Sequence, residues 1–167
     1  VVGMALPIAR DLSRNGIRFA ALVLDSVFAS DGVFADPRGF LAPVREVVAR
    51  AGGVYLADEV QPGFGRTGDT FWGFARHGSE ADPFVPDLVT IGKPMGNGQP
   101  IAAMIARRSL VEQFNRHSRY FNTFGGSSVS IAAAQATPDV LRDEALIENA
   151  RDVGAWLLGE LQATGLF

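Results

Sequence analysis

The stretch Gly53-Val54-Tyr55-Leu56-Ala57-Asp58-Glu59 decides the fold. Its apolar residues run consecutively rather than alternating, which predicts a strand buried on both faces, and two carboxylates close it. Upstream, Ile17 to Leu24 is a second apolar run, ended by Asp25-Ser26. Between them, Gly39 to Arg50 sets Phe40, Leu41, Val44, Val47 and Val48 at helical spacing, with Ala51-Gly52-Gly53 as the stop signal. Strand, helix and strand in this order predict a parallel α/β sheet covered by helices. Leu88-Val89-Thr90-Ile91 is a third strand and Ile101 to Ala106 a fourth. A helical stretch ends near Asn15-Gly16, and from Val129 the pattern is again helical, broken at Thr137-Pro138 and resumed through Leu141, Leu146, Ile147, Ala150, Val153, Leu157 and Leu161.

Parallel sheets carry their chemistry at the carboxyl ends of the strands. That rule selects Asp25, Asp58 and Lys93, each just past a predicted strand. Lys93 is the only lysine; arginine supplies the other fourteen basic residues, so lysine is not used here as solvated filler. An amine forms an imine with an aldehyde and exchanges between free base and ammonium, which a guanidinium does not do. The apolar, charge-poor neighbours of Lys93 predict a desolvated amine.

With 167 residues, 47% hydrophobic content and a net charge of −3, the chain has the material for one domain with a substantial core and no electrostatic footprint for nucleic acid or an anionic membrane. No run approaches the ~18 apolar residues of a membrane span. The absence of cysteine excludes disulfides, thiolate metal sites and a cysteine nucleophile, and fits a cytoplasmic location. The chain starts at Val1 without an initiator methionine, and its helical pattern still runs at Leu161, close to the last residue Phe167. We therefore expect a piece of a longer polypeptide, inactive and prone to association when isolated, because strands made for a sheet interior would become edges.

A lysine and a carboxylate at the ends of neighbouring parallel strands form the minimal set for pyridoxal phosphate chemistry, the lysine as Schiff base and the carboxylate as partner of the pyridinium nitrogen. Leu56-Ala57-Asp58-Glu59-Val60-Gln61-Pro62-Gly63-Phe64-Gly65-Arg66-Thr67-Gly68, then Trp72, then Pro86-Asp87-Leu88-Val89-Thr90-Ile91-Gly92-Lys93 resembles the signature of class III pyridoxal-phosphate-dependent aminotransferases. The resemblance covers nearly the whole chain. It implies a fold-type I α/β large domain, here a partial one of about four strands, mostly parallel, with helices on both faces. It makes Lys93 the Schiff-base lysine and proton shuttle, and Asp58 the partner of the ring nitrogen. Val60 would pack on the ring and Gln61 would bond near its phenolic oxygen. Thr123, in Phe121-Asn122-Thr123-Phe124-Gly125-Gly126, would reach across a homodimer interface to the cofactor phosphate of the other subunit. Arg66 is expected in structural pairing. No metal is implied.

The same resemblance divides the chain into residues 1–137, the second half of the cofactor-binding large domain, and residues 138–167, a helix leading toward a C-terminal small domain. It implies amino transfer between an amine or amino acid and a 2-oxo acid; the alternatives are lyase, decarboxylase or aminomutase chemistry on the same scaffold, or a catalytically silent truncated module. The chain departs from the pattern in two places. Ser30 stands where ornithine and 4-aminobutyrate aminotransferases carry a glutamate, and Ser127-Ser128 replaces a common Asn-Pro. The first departure favours an alanine–glyoxylate or ω-amine type of substrate range, with phospho-lyases sharing the core motifs.

Overall fold

The apolar runs pair side by side in chain order. The computed structural model describes residues 2–165, so Val1 and Phe167, the chain ends noted above, lie outside the described residues. Helix α1 (Val2–Arg14) leads to β1 (Ala21–Asp25), α2 (Ala42–Arg50), β2 (Val54–Asp58), a 3-10 turn over Gly73–His77 and β3 (Leu88–Ile91). A second 3-10 turn (Lys93–Gly96), β4 (Ala103–Ala106), α3 (Arg108–His117), α4 (Ser128–Asp143) and α5 (Leu146–Ala163) complete the chain.

The sheet order is β1-β2-β3-β4. The first three strands are parallel, and β4 lies antiparallel to β3. The link explains the reversal. Residues 92–102 hold a 3-10 turn that ends on Asn97 in the left-handed region (φ 45°) followed by Gly98 (φ 102°), too short a path for the crossover that a parallel partner requires.

The core forms where α2 lies on β2. Leu41, Val44 and Val48 recur at helical spacing and meet Tyr55 and Ala57, with Phe84 edge-on to Tyr55 at 5.3 Å between ring centroids. Leu22 and Leu24 are the register partners of Tyr55 and Ala57 and pack against the same cluster, while Val23, on the opposite face, is 62% exposed. That open face carries the candidate site.

Three boundaries differ from expectation. β1 begins at Ala21, which pairs with Val54, the first residue of β2; before it the chain makes only single backbone bonds, Val54 N–H donating to the Ala20 carbonyl (3.0 Å) and Ile17 N–H to the Leu12 carbonyl (2.9 Å). α2 begins at Ala42, since Pro43 is tolerated only in a first helical turn. The break expected at Thr137-Pro138 is absent, and α4 runs through it. Pro138 removes one backbone donor, and the Thr137 hydroxyl donates to the Ala133 carbonyl (3.1 Å) beside the defect. The turn falls at Ala145, in the left-handed region at φ 50°.

Tyr55 is 1% exposed, and its hydroxyl has no hydrogen-bond partner among the described residues; burial pushes its pKa up. Removing an unsatisfied buried hydroxyl forfeits no bond and lifts its desolvation cost. Tyr55→Phe is therefore expected to leave stability unchanged or raise it by up to about 1 kcal/mol in urea unfolding. A loss of about 1 kcal/mol or more would show that the hydroxyl is partnered.

Candidate active site

The carboxyl ends of β1, β2 and β3 open onto one depression of about 380 Å³, lined by Asp25, Ser30, Asp58, Val60, Gln61 and Lys93 among others. Four of the five residues singled out from the sequence are thus brought together. Thr123 is not among them; it lies exposed in the 121–126 loop, flanked by Phe121 and Phe124 at 85% and 87% exposure.

The strand-end aspartates have different surroundings. Asp25 is engaged through both oxygens, with Val27 N–H donating to Oδ1 (2.8 Å) and Ala29 N–H to Oδ2 (3.1 Å), so it caps the turn after β1. Asp58 accepts only at Oδ1, from Val60 N–H (3.0 Å) and the Thr90 hydroxyl (3.2 Å). Among the described residues nothing bonds to Oδ2. One aspartate is a structural cap, and the other keeps an oxygen for something else.

Lys93 opens the 3-10 turn after β3, tightened by Met95 N–H donating to the Gly92 carbonyl. It is exposed at the rim of the depression, contrary to the expected desolvation, because the apolar run before it ends within β3 and the face above the depression is open. Gln61 Nε2 donates to Ser30 Oγ (2.7 Å), which ties the β2 loop to the β1 loop across the mouth.

Behind this face lies a polar cluster that the sequence reading passed over. Glu59 is completely buried; its carboxylate accepts from Ser26 Oγ (2.6 Å), Gly73 N–H (2.6 Å) and Phe74 N–H (2.9 Å). Burial pushes its pKa up, the three hydrogen bonds oppose that, and the nearby Asp25 charge adds to it. His77, 2% exposed, donates from Nε2 to the Ser26 carbonyl (2.9 Å) and has no partner at Nδ1 among the described residues. The signal lay in the glycines: a Cβ on Gly63 would stand 2.7 Å from the Glu59 carbonyl oxygen, and one on Gly73 2.5 Å from Pro62 Cβ and 3.3 Å from both carboxylate oxygens. The glycine-rich loop is shaped around a buried carboxylate. Thr90 was the other signal, a hydroxyl inside an apolar strand and the register partner of Asp58.

Arg66 does not take the pairing role expected of it. It is exposed and makes no ion pair among the described residues. Arg76 holds that position, bonding Asp69 (3.3 Å), Asp36 (3.2 Å) and the Ala35 carbonyl, while Asp69 also accepts from Arg38 (2.9 Å). Both arginines meet Asp69 at the same oxygen, Oδ2.

The donor set fits pyridoxal phosphate. An amine suited to its aldehyde and a carboxylate oxygen without a partner among the described residues, suited to its ring nitrogen, line the same depression. The model of the class-III aminotransferase family matches residues 8–165, and the chain belongs to that family. It is 40% identical over 139 residues to the human mitochondrial alanine–glyoxylate aminotransferase 2, covering 83% of this chain and 26% of that protein. It is 33% identical to the Caenorhabditis elegans ethanolamine-phosphate phospho-lyase homolog 1, over 96% of this chain and 36% of that protein. A solved phospholyase from Arthrobacter in complex with phosphoethanolamine superposes with a TM-score of 0.86 at 35% identity, covering 98% of this chain and 37% of that one. The chain therefore spans about a quarter to a third of the length of these relatives, and its mostly parallel α/β sheet is part of the fold-type I architecture.

Burial pushes the His77 pKa below the ordinary imidazole value near 6.5; the bond to Ser26 opposes this, and the Arg76 charge reinforces it. The folded state then takes up a proton less readily than the unfolded chain, so this stability is present above pH 6.5 and lost as the pH falls below it. Glu59 acts in the opposite sense, favouring its protonated form in the folded state as the pH falls. Both proteins of a His77→Gln comparison share that contribution. We expect the variant to lose stability less steeply between about pH 6.5 and 5, in urea midpoints measured against the wild type. Equal slopes would show that His77 titrates normally.

Proposed function

We propose that this chain carries the lysine-bearing part of an enzyme that moves an amino group between an amine or amino acid and a 2-oxo acid. The observation that carries the reading is the convergence of the only lysine with an aspartate oxygen that no group among the described residues uses, in one depression of a class-III aminotransferase fold. When bound, pyridoxal phosphate supplies the aldehyde and the electron-withdrawing ring. Lys93 Nζ would hold that group through its aldehyde and, when not so engaged, would carry the proton that leaves the substrate carbon. Exposure on a short turn at the rim gives the amine room for both tasks. Asp58 Oδ2 would pair with the ring nitrogen and favour its protonated form, while Thr90 and Val60 fix the carboxylate through Oδ1. Val60 supplies apolar surface, and the Gln61 amide, steadied by Ser30, lies at the mouth.

Two further assignments belong to this reading. Thr123 contacts the cofactor phosphate of a second copy, supported by a loop that projects aromatic residues into solvent: Tyr120, Phe121 and Phe124 are 75%, 85% and 87% exposed. Residues 1–137 belong to the cofactor-binding domain and residues 138–167 lead away from it; the turn at Ala145 is the nearest physical break to that division.

A second reading is elimination of phosphate from an ethanolamine-phosphate type of substrate. The likeness to the C. elegans protein and to the Arthrobacter phospholyase supports it. The two separate in one assay on the protein translated from the complete reading frame: alanine with glyoxylate is expected to give pyruvate and glycine, and ethanolamine phosphate to release no inorganic phosphate. The reverse result selects the lyase.

Lys93→Ala is expected to reduce amino transfer by more than about a thousandfold, and borohydride reduction of the wild type followed by peptide mapping to place the pyridoxyl group on Lys93. A label elsewhere overturns the assignment. Asp58→Asn is expected to leave that labelling intact and lower kcat by about a hundredfold to ten-thousandfold.

A further inference from the structure

We propose that Ser26 and Glu59 are positioning residues for Asp58, a clamp on the far side of the sheet that fixes the direction of its free oxygen. The inference rests on the reading of Asp58 as the partner of the ring nitrogen. Asp25, Asp58 and Thr90 are register partners across β1, β2 and β3, and form one row facing the depression. Side chains alternate along extended chain, so the next residues, 26 and 59, project the other way. Both are fully buried there. The short bond from Ser26 Oγ to Glu59 Oε1 (2.6 Å) is thus a rung directly behind the Asp25–Asp58 rung.

Every polar group of Glu59 is engaged. Its N–H donates to the Thr90 carbonyl (2.9 Å), its carbonyl accepts from Gly63 N–H (3.2 Å), and its carboxylate takes Ser26, Gly73 and Phe74. The peptide joining residues 58 and 59 cannot turn without breaking bonds on both sides of the sheet. The two donors that hold Asp58 Oδ1 belong to Val60, the residue after Glu59, and to Thr90, whose carbonyl Glu59 holds. Loosening the clamp loosens both anchors and lets Oδ2 swing out of register with the ring nitrogen. Ser26 and Glu59 touch no substrate; they act through Asp58.

The test is a double-mutant cycle on the protein translated from the complete reading frame. Ser26→Ala deletes only the hydroxyl and leaves the Ser26 carbonyl to His77, while Glu59→Gln keeps the volume with one acceptor fewer. Each is expected to raise the Kd for pyridoxal phosphate and to lower kcat about tenfold, with KM for the amino donor unchanged within about twofold. In an Asp58→Asn background the same changes are expected to have no further effect on Kd or kcat. Thermal midpoints are measured alongside, and a clamp that only stabilises the fold would lower the midpoint and leave Kd and kcat at wild-type values. Wild-type Kd and kcat in Ser26→Ala and Glu59→Gln, or effects that add fully to Asp58→Asn, overturn this proposal alone. Wild-type values in Asp58→Asn itself overturn the Asp58 reading and this proposal with it. Should Glu59→Gln fail to fold, Ser26→Ala decides.

Discussion

A carboxylate that is wholly excluded from water, at Glu59, governs the geometry of this site. Moving an ionised carboxylate out of water costs several kcal/mol even after relaxation, so its donors have to be in place before the fold is worthwhile. Here they come from two separate segments: Ser26 after β1, and the amides of Gly73 and Phe74 in the turn between β2 and β3. That single requirement draws the end of β1 to the end of β2 and pulls the long 59–87 connection back beneath the sheet. It also dictates glycine at 63 and 73, where a methyl group would collide with Glu59 or with Pro62. His77 and the arginine cluster around Asp69 then seal the same turn from outside.

From this follows a division of labour between the two sides of the sheet. Strand alternation sends Asp25, Asp58 and Thr90 to the open face and Ser26 and Glu59 to the closed one, so the adjacent carboxylates of Asp58 and Glu59 draw on separate sets of donors. Asp25 shows what happens to a strand-end carboxylate near free amides: both oxygens are consumed by the turn that follows. Asp58 escapes this because its Oδ1 takes both local donors.

Much of this arrangement was legible before any coordinates. Continuous apolar runs revealed the strands, and the rule that parallel sheets act at their carboxyl ends led to Asp58 and Lys93, which line one depression. What stayed hidden depends on tertiary placement. The polarity of β4 is set by the length and handedness of a short turn, not by its own apolar pattern. Pro138 suggested a break, yet a single missing donor is tolerated within a helix of sixteen residues. Glu59 read as half of an acidic pair closing a strand, because nothing local distinguishes a buried carboxylate from a solvated one. Its donors are fourteen and more residues away in sequence.

Asp58 and Lys93 rest on foundations of unequal stiffness. Asp58 belongs to a strand pinned from both sides, beside the core of Leu41, Val44, Val48, Tyr55 and Ala57. Lys93 rides a short 3-10 turn whose support is α4, and Ser130 is the one buried residue among the described positions from 107 onward. Ser130 joins that helix to the segment just after the turn by accepting from Gln99 Nε2 (3.1 Å) and donating to the Pro100 carbonyl (3.2 Å). The difference suits the chemistry proposed for each. A carboxylate that stabilises a fixed ring nitrogen gains from immobility, since its effect depends on a short, constant distance. An amine that binds a carbon, leaves it and carries a proton between two atoms needs freedom on a short tether. The proposed roles thus set a firmly held strand under Asp58 and a short turn under Lys93.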